Sequence, residues 1–189
     1  MIELDARISK RMRIAEQPGP LRTLAAVLAH SGDSWFWLAG LGLLWWLGTD
    51  YWQGRALVLF LAILLTTVLV FIVKFSVRRR RPEGEWGKFY RTTDPHSFPS
   101  GHAVRVVMLA VVVIGLGPLW LGVLLLIWAP FVGLARVAMG VHYLSDVLVG
   151  MVLGLVMGGV VLLIIQAGIS PVQFMMYDAQ LSHLLSRVI

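Results

Sequence analysis

Five long apolar runs separated by short polar stretches constrain this chain more than any other feature. They cover about 35–48, 56–73, 101–117, 119–135 and 144–166. A helix of about 20 apolar residues spans the hydrocarbon core of a bilayer. The chain is 58% hydrophobic and only 14% charged, against roughly a quarter charged in a soluble domain. The runs therefore predict an all-α integral membrane protein, a bundle of about five transmembrane helices. A sixth would follow if the opening stretch also crossed.

Residues 1–33 read as an amphipathic or interfacial N-terminal segment, because their apolar stretch at 24–29 is too short to span. Glu3, Asp5, Lys10 and Glu16 argue against a cleavable signal peptide there. Residues 34–166 form the transmembrane core, with Asp50 to Arg55 as a tight loop, and 167–189 read as an interfacial helical tail. One membrane domain over 1–189 accounts for the whole length. Trp35, Trp37, Trp45, Trp46 and Trp52 suit the interfacial belts, and Pro130 predicts a bend in the fourth span. Gly150, Gly154 and Gly158 recur every fourth residue, a pattern that lets a second helix approach closely, within the bundle or in a homodimer. No cysteine is present, so thiolate and disulfide chemistry are excluded.

The net charge of +6 is concentrated in Arg7, Lys10, Arg11 and Arg13 and in the run Arg78 to Arg81. Beside membrane spans such charge marks anionic headgroups or cytoplasmic flanks, so nucleic acid is not an expected partner. The polar stretch 75–99 is long for a connection between helices, which makes it a functional candidate. Two crossings separate it from the short connection 136–143. Both connections should therefore emerge at the same face of the membrane.

Three segments at that face carry chemistry. In Lys74-x6-Arg81-Pro82 the two cations share one face if the helix persists, and together they suit a doubly charged phosphate. In Pro99-Ser100-Gly101-His102, Ser100 reads as the N-cap of a span, whose free N–H groups attract anions, and Gly101 admits a ligand close to the backbone. In Arg136-x5-His142-x3-Asp146, the histidine and carboxylate are four apart and would stack on one helical face. A carboxylate behind an imidazole fixes its tautomer and raises its basicity. Each segment also has a plainer reading, as snorkelling cations, an ordinary helix cap or a structural His–Asp pair.

Taken together, in this order and on one face, the three segments resemble those of the type 2 phosphatidic acid phosphatase superfamily over about residues 56–160. The resemblance implies a lipid phosphatase in which His142 attacks phosphorus to give a phosphohistidine and Asp146 orients it. It makes His102 the general acid and then the base for water. Lys74, Arg81, Ser100, Gly101 and Arg136 would bind the phosphoryl oxygens. With cations supplied by the protein, no metal or other cofactor is expected. Substrates of this kind are phosphorylated membrane lipids: polyprenyl phosphates or diphosphates, phosphatidylglycerophosphate or phosphatidic acid.

Two features depart from the superfamily pattern. Ala135 stands where a serine usually precedes the arginine, and many members have six spans.

Among the other polar residues, Arg78, Arg79 and Arg80 read as a charged membrane flank or as a grip on a second phosphate. Arg105 lies one turn beyond His102 and either reaches the site or pairs with a carboxylate, and His96 reads as an exposed loop residue. His30 and His183 receive no role. Arg7, Lys10, Arg11, Arg13, Arg22, Arg78 to Arg80, Lys88 and Arg91 fall on the site's side of a cell membrane, against Arg55 and Arg187 opposite. With five spans the positive-inside rule then favours a cytoplasmic active site, although prokaryotic relatives usually face outward. If the stretch 24–29 helps cross the membrane, the N-terminal cluster changes sides and the count nearly balances. The rival reading is a non-catalytic protein that binds or translocates anionic lipids. It explains the arginine run but not His102 or the His142–Asp146 spacing.

Overall fold

The computed structural model describes residues 2–84, 86, 92 and 94–168. Seven helices follow one another: α1 (Ile2–Arg11), α2 (Pro20–His30), α3 (Ser34–Leu47), α4 (Asp50–Val77), α5 (Gly101–Leu116), α6 (Leu119–Ala138) and α7 (Leu144–Gln166). Among the described residues the only strand-like pairing is an isolated antiparallel bridge between Arg80 and His96. By length and composition α4, α6 and α7 can each cross a membrane, while α3 and α5 are shorter apolar helices. The expected tail falls almost wholly outside the described residues, as do Lys88, Arg91, His183 and Arg187.

The valine-rich α5 is the central helix: ten of its sixteen residues are buried, and it packs against α4, α6 and α7. The glycine stripe of α7 makes this possible. A Cβ at Gly150 would lie 2.9 Å from the Ser100 carbonyl oxygen, one at Gly154 2.5 Å from that of Val104, and one at Gly158 2.6 Å from the Val111 Cβ. The stripe is therefore filled by α5 of the same bundle. Leu41, Ile63, Met108, Leu109 and Val112 form the main apolar cluster, and a second one packs Ala25 and Ala29 of α2 on Ala135 and Met139. Outward-facing Trp46, Ile72, Trp120, Val152 and Leu163 stay exposed, as suits a surface solvated by lipid.

The expected boundaries of the second span need correction at both ends. The helix starts at Asp50, so Asp50 to Arg55 is its first turn and a half rather than a loop, and it runs on to Val77. Hydropathy falls off in the interface before the helix itself ends. The helix also stops short of Arg81, so Lys74 and Arg81 do not share a helical face. Arg78 takes the left-handed conformation (φ 54°) and its N–H caps the Lys74 carbonyl. The chain then runs extended through the bridge to His96. Successive side chains alternate there, so Arg79 and Arg81 turn inward while Arg80 is exposed. The Ser97 N–H donates to the Arg79 carbonyl at 2.8 Å. These contacts bring the two ends of the long polar connection together.

Candidate active site

Four helix ends meet at this pole of the bundle: the C-termini of α4 and α6 and the N-termini of α5 and α7. The end of α6 explains the spacing between Arg136 and His142. The Gly140 N–H bonds the Val137 carbonyl at 2.8 Å and the Val141 N–H bonds that of Arg136 at 3.2 Å. Gly140 supplies the positive φ of 68° that this reversal requires. The chain therefore doubles back two residues before His142 and sets that imidazole beside the helix carrying Arg136. The Ser100 N–H donates to the Asp146 carbonyl at 3.0 Å and joins the start of α5 to α7.

A cavity with room of about 100 Å³ opens among these ends. Six of the eight residues chosen from the sequence line it: Lys74, Arg81, Gly101, His102, Arg136 and His142. Ser100 and Asp146 are fully buried behind the wall. Ser100 occupies the N-cap position, but its hydroxyl makes no capping bond and has no partner.

His142 differs from expectation in one respect. It precedes α7, so it does not stack with Asp146 on a helical face. Its Nδ1 lies 3.6 Å from the Asp146 carboxylate, too long for a hydrogen bond. Its Nε2 lies 3.1 Å from Arg81 Nη1. A guanidinium can only donate, so Nε2 must be the acceptor and the proton of the neutral ring sits on Nδ1, towards Asp146. Burial, followed by the charges of Arg81, Arg136 and Lys74, pushes the His142 imidazole well below its ordinary pKa. The ring is thus a neutral imidazole with its lone pair on the cation-lined side.

Asp146 is held from behind. Its carboxylate accepts from the Tyr143 N–H at 2.9 Å and from Arg79 at 2.7 Å. Arg79 also donates to the Ser145 hydroxyl at 2.7 Å and to Asp5 of α1 at 2.6 Å. Asp5 in turn accepts the Ser145 N–H at 3.1 Å, and the Ser9 hydroxyl accepts the Leu144 N–H at 2.9 Å. Arg79 is therefore neither a membrane flank nor a phosphate grip. It ties the carboxylate behind His142 to the first helix.

The other histidine has a carboxylate that sequence reasoning missed. His102 Nε2 lies 2.5 Å from Asp33, whose second oxygen lies 2.9 Å from His30 Nδ1 and 3.3 Å from Trp35 Nε1. Burial opposes ionisation of Asp33, but hydrogen bonds from His102 and His30 hold its carboxyl below the usual carboxylate range. His30 thus has a partner that itself touches the site. Asp33 and His102 lie 69 positions apart, and no local spacing signals that contact.

Asp94 was also missed. Its carboxylate ion-pairs with Lys74 and lies 2.7 Å from Arg81, so an anionic group already bridges the two cations. His96 accepts from Lys74 through its carbonyl at 3.2 Å and sets its ring edge-on to Phe75. Arg105 lines the cavity and donates to the Gly32 carbonyl at 2.7 Å.

The model of the PAP2 superfamily matches residues 55–169. The chain belongs to the PAP2 superfamily. It is 31% identical over 163 residues, 84% of this chain and 88% of the relative, to decaprenylphosphoryl-5-phosphoribose phosphatase of Mycobacterium tuberculosis. It is 32% identical over 142 residues, 73% of this chain and 68% of the relative, to undecaprenyl-diphosphatase of Sulfolobus acidocaldarius. Its structure resembles that of a transmembrane PAP2-type phosphatidylglycerolphosphate phosphatase from Bacillus subtilis, with a TM-score of 0.69 and 25% identity over 85% of this chain and 83% of that one. This PAP2 protein is a multi-pass membrane protein and a lipid phosphatase. The serine usual in PAP2 proteins before the arginine is here Ala135, buried in the cluster with α2 and absent from the cavity wall.

Proposed function

We propose that this PAP2 phosphatase removes the terminal phosphate of a lipid-linked phosphate or diphosphate through a phosphohistidine on His142. The observation that carries this reading is the convergence of His142, His102, Lys74, Arg81 and Arg136 on one cavity. Substrate phosphate displaces Asp94 from Lys74 and Arg81, and Arg136, the Ser100 hydroxyl and the Gly101 N–H complete its cradle. The Nε2 lone pair of His142 forms a bond to phosphorus as the bond to the leaving oxygen breaks. The positive charge that develops on the imidazole is met by Asp146. His102 protonates the leaving oxygen. Its Nε2 faces Asp33, so Nδ1 is the nitrogen that carries the transferred proton. In the second step His102 takes a proton from water, the P–N bond breaks, and inorganic phosphate leaves. The cations supply the transition-state charge stabilisation, so no step calls for a metal ion.

Polyprenyl-linked phosphates are the favoured substrate class because both sequence relatives carry such lipids in their names. The lipid-binder reading loses its footing, since Arg79 and Arg81 are turned inward. The test is phosphate release in detergent, with chelator present, from polyprenyl monophosphate, polyprenyl diphosphate, phosphatidylglycerophosphate and phosphatidic acid. Release that persists with chelator is expected, and activity restored only by divalent metal would overturn the mechanism.

We also infer a cytoplasmic site. The charge count supports it, as do the hydrogen bonds that hold α1, with Arg7, Lys10 and Arg11, at the site's end of the bundle. A cysteine placed at Arg80 that reacted with an impermeant reagent in intact cells would reverse the orientation.

A further inference from the structure

The cavity continues past the histidines along α4 and α5, and its deeper part is polar. Arg105 stands one helical turn beyond His102, and Thr66 and Thr67 stand about two turns below Lys74. Arg105 is 9% exposed and Thr66 is 2% exposed. The Arg105 guanidinium gives one N–H to the Gly32 carbonyl and lies in the field of the Asp33 carboxylate, yet its Nε has no partner. The Thr66 hydroxyl is likewise without a partner. A threonine in an apolar helix ordinarily returns its hydroxyl to the carbonyl four residues earlier. Ser76 of the same helix does the equivalent, bonding the Ile72 carbonyl at 2.8 Å. Thr66 does not, and both Thr66 and Arg105 line the cavity, with the Thr66 hydroxyl and the Arg105 Nε buried just behind its surface. Leaving an arginine N–H and a hydroxyl unsatisfied at membrane depth is costly. Such an expense is usual where a ligand completes the bonds.

We propose that Arg105 and Thr66 form a second anion subsite, which receives the next phosphoryl group of the substrate on the leaving-group side of the scissile bond. This rests on the phosphatase reading above and narrows it to lipids bearing two phosphorus atoms. The second group is either the inner phosphate of a diphosphate or a phosphodiester beyond a short polyol. Both present non-bridging oxygens, which an arginine Nε and a hydroxyl can bind. Lys74, Arg81 and Arg136 hold the departing phosphate. Arg105, beside His102, neutralises the charge that remains on the leaving group.

Two matched pairs test the assignment in the purified protein. Farnesyl diphosphate against farnesyl monophosphate probes the diphosphate form. Phosphatidylglycerophosphate against phosphatidic acid probes the diester form. Wild type should favour the two-phosphorus member of at least one pair. Arg105→Met should lower kcat/KM for that member about 10- to 100-fold more than for its partner, the range expected for losing a charge-assisted hydrogen bond. Thr66→Val, a milder and nearly isosteric change, should narrow the same preference about 2- to 5-fold and keeps the test decisive should Arg105→Met fail to fold. Inorganic pyrophosphate should inhibit wild type more strongly than orthophosphate, and Arg105→Met should erase the difference. Equal use of both members by wild type, or an equal loss on both in the variants, would overturn the subsite. Absence of phosphate release from all four lipids would instead overturn the phosphatase reading itself.

Discussion

The two walls of the cavity are built alike and anchored differently. Each presents an imidazole with a carboxylate behind it: Asp146 at 3.6 Å from His142, and Asp33 at 2.5 Å from His102. Behind Asp146 stands a permanent cation, Arg79, itself locked to α1. Behind Asp33 stands His30, whose side chain is 45% exposed. The first wall is insulated from water and fixed in charge. The second reaches solvent through the half-exposed imidazole of His30. In the proposed cycle the nucleophile only has to remain neutral and aimed, whereas the acid must give and take a proton on every turnover. The walls suit those different tasks.

The comparison can be broken most decisively at His142. Replacement by Ala should reduce phosphate release by about 10⁴-fold or more, the scale seen when a nucleophile is removed. The protein should still elute as a folded species in detergent, and a variant with near-normal rates would end the nucleophile assignment. On the other wall, Asp33→Asn should lower kcat by about 10- to 100-fold and leave KM within a few-fold. An effect below twofold would show that the carboxylate behind His102 is only structural. Arg79→Met acts through Asp146 and should cost about 10-fold in kcat. Adding Asp5→Asn to it should cost little more, because both residues serve one network. Full additivity in that double-mutant cycle would separate α1 from the nucleophile.

The smallest effect is one of stability. The folded-state pKa of His142 is depressed, so below about pH 6.5 the unfolded chain binds a proton that the folded chain refuses. Stability contributed by this neutral state is complete above that pH and falls as the medium is acidified. His142→Gln should therefore show a smaller drop in Tm between pH 7.5 and 5.5 than wild type. An unchanged drop would place the proton on the folded imidazole.

How much of this was legible in the sequence depended on distance along the chain. The His142–Asp146 pair could be seen because the two lie four residues apart. Lys74 and Arg81 were found through their spacing but for an incomplete reason, since the left-handed Arg78 and the Arg80–His96 bridge bring them together, not a continuous helix. Hydropathy located the five apolar helices, yet it misplaced the start of α4 because Asp50 to Arg55 is polar and aromatic while still helical. Asp33, Asp94 and Asp5 left no signal. Each reaches its partner through tertiary packing, and an acidic residue in a polar stretch is unremarkable on its face. Arg79 was hidden within a run of four arginines, where only the alternation of an extended strand tells inward residues from outward ones.

The tie between Asp5 and Ser145 joins residues 140 positions apart, and it sets an order of events. α1 is synthesised long before α7, yet its Asp5 has nothing to grip until α7 has entered the membrane. A nascent or partly inserted chain thus holds its His142 loop without a brace. Hydrolytic competence then waits for α7, and its arrival reports that this helix is in place.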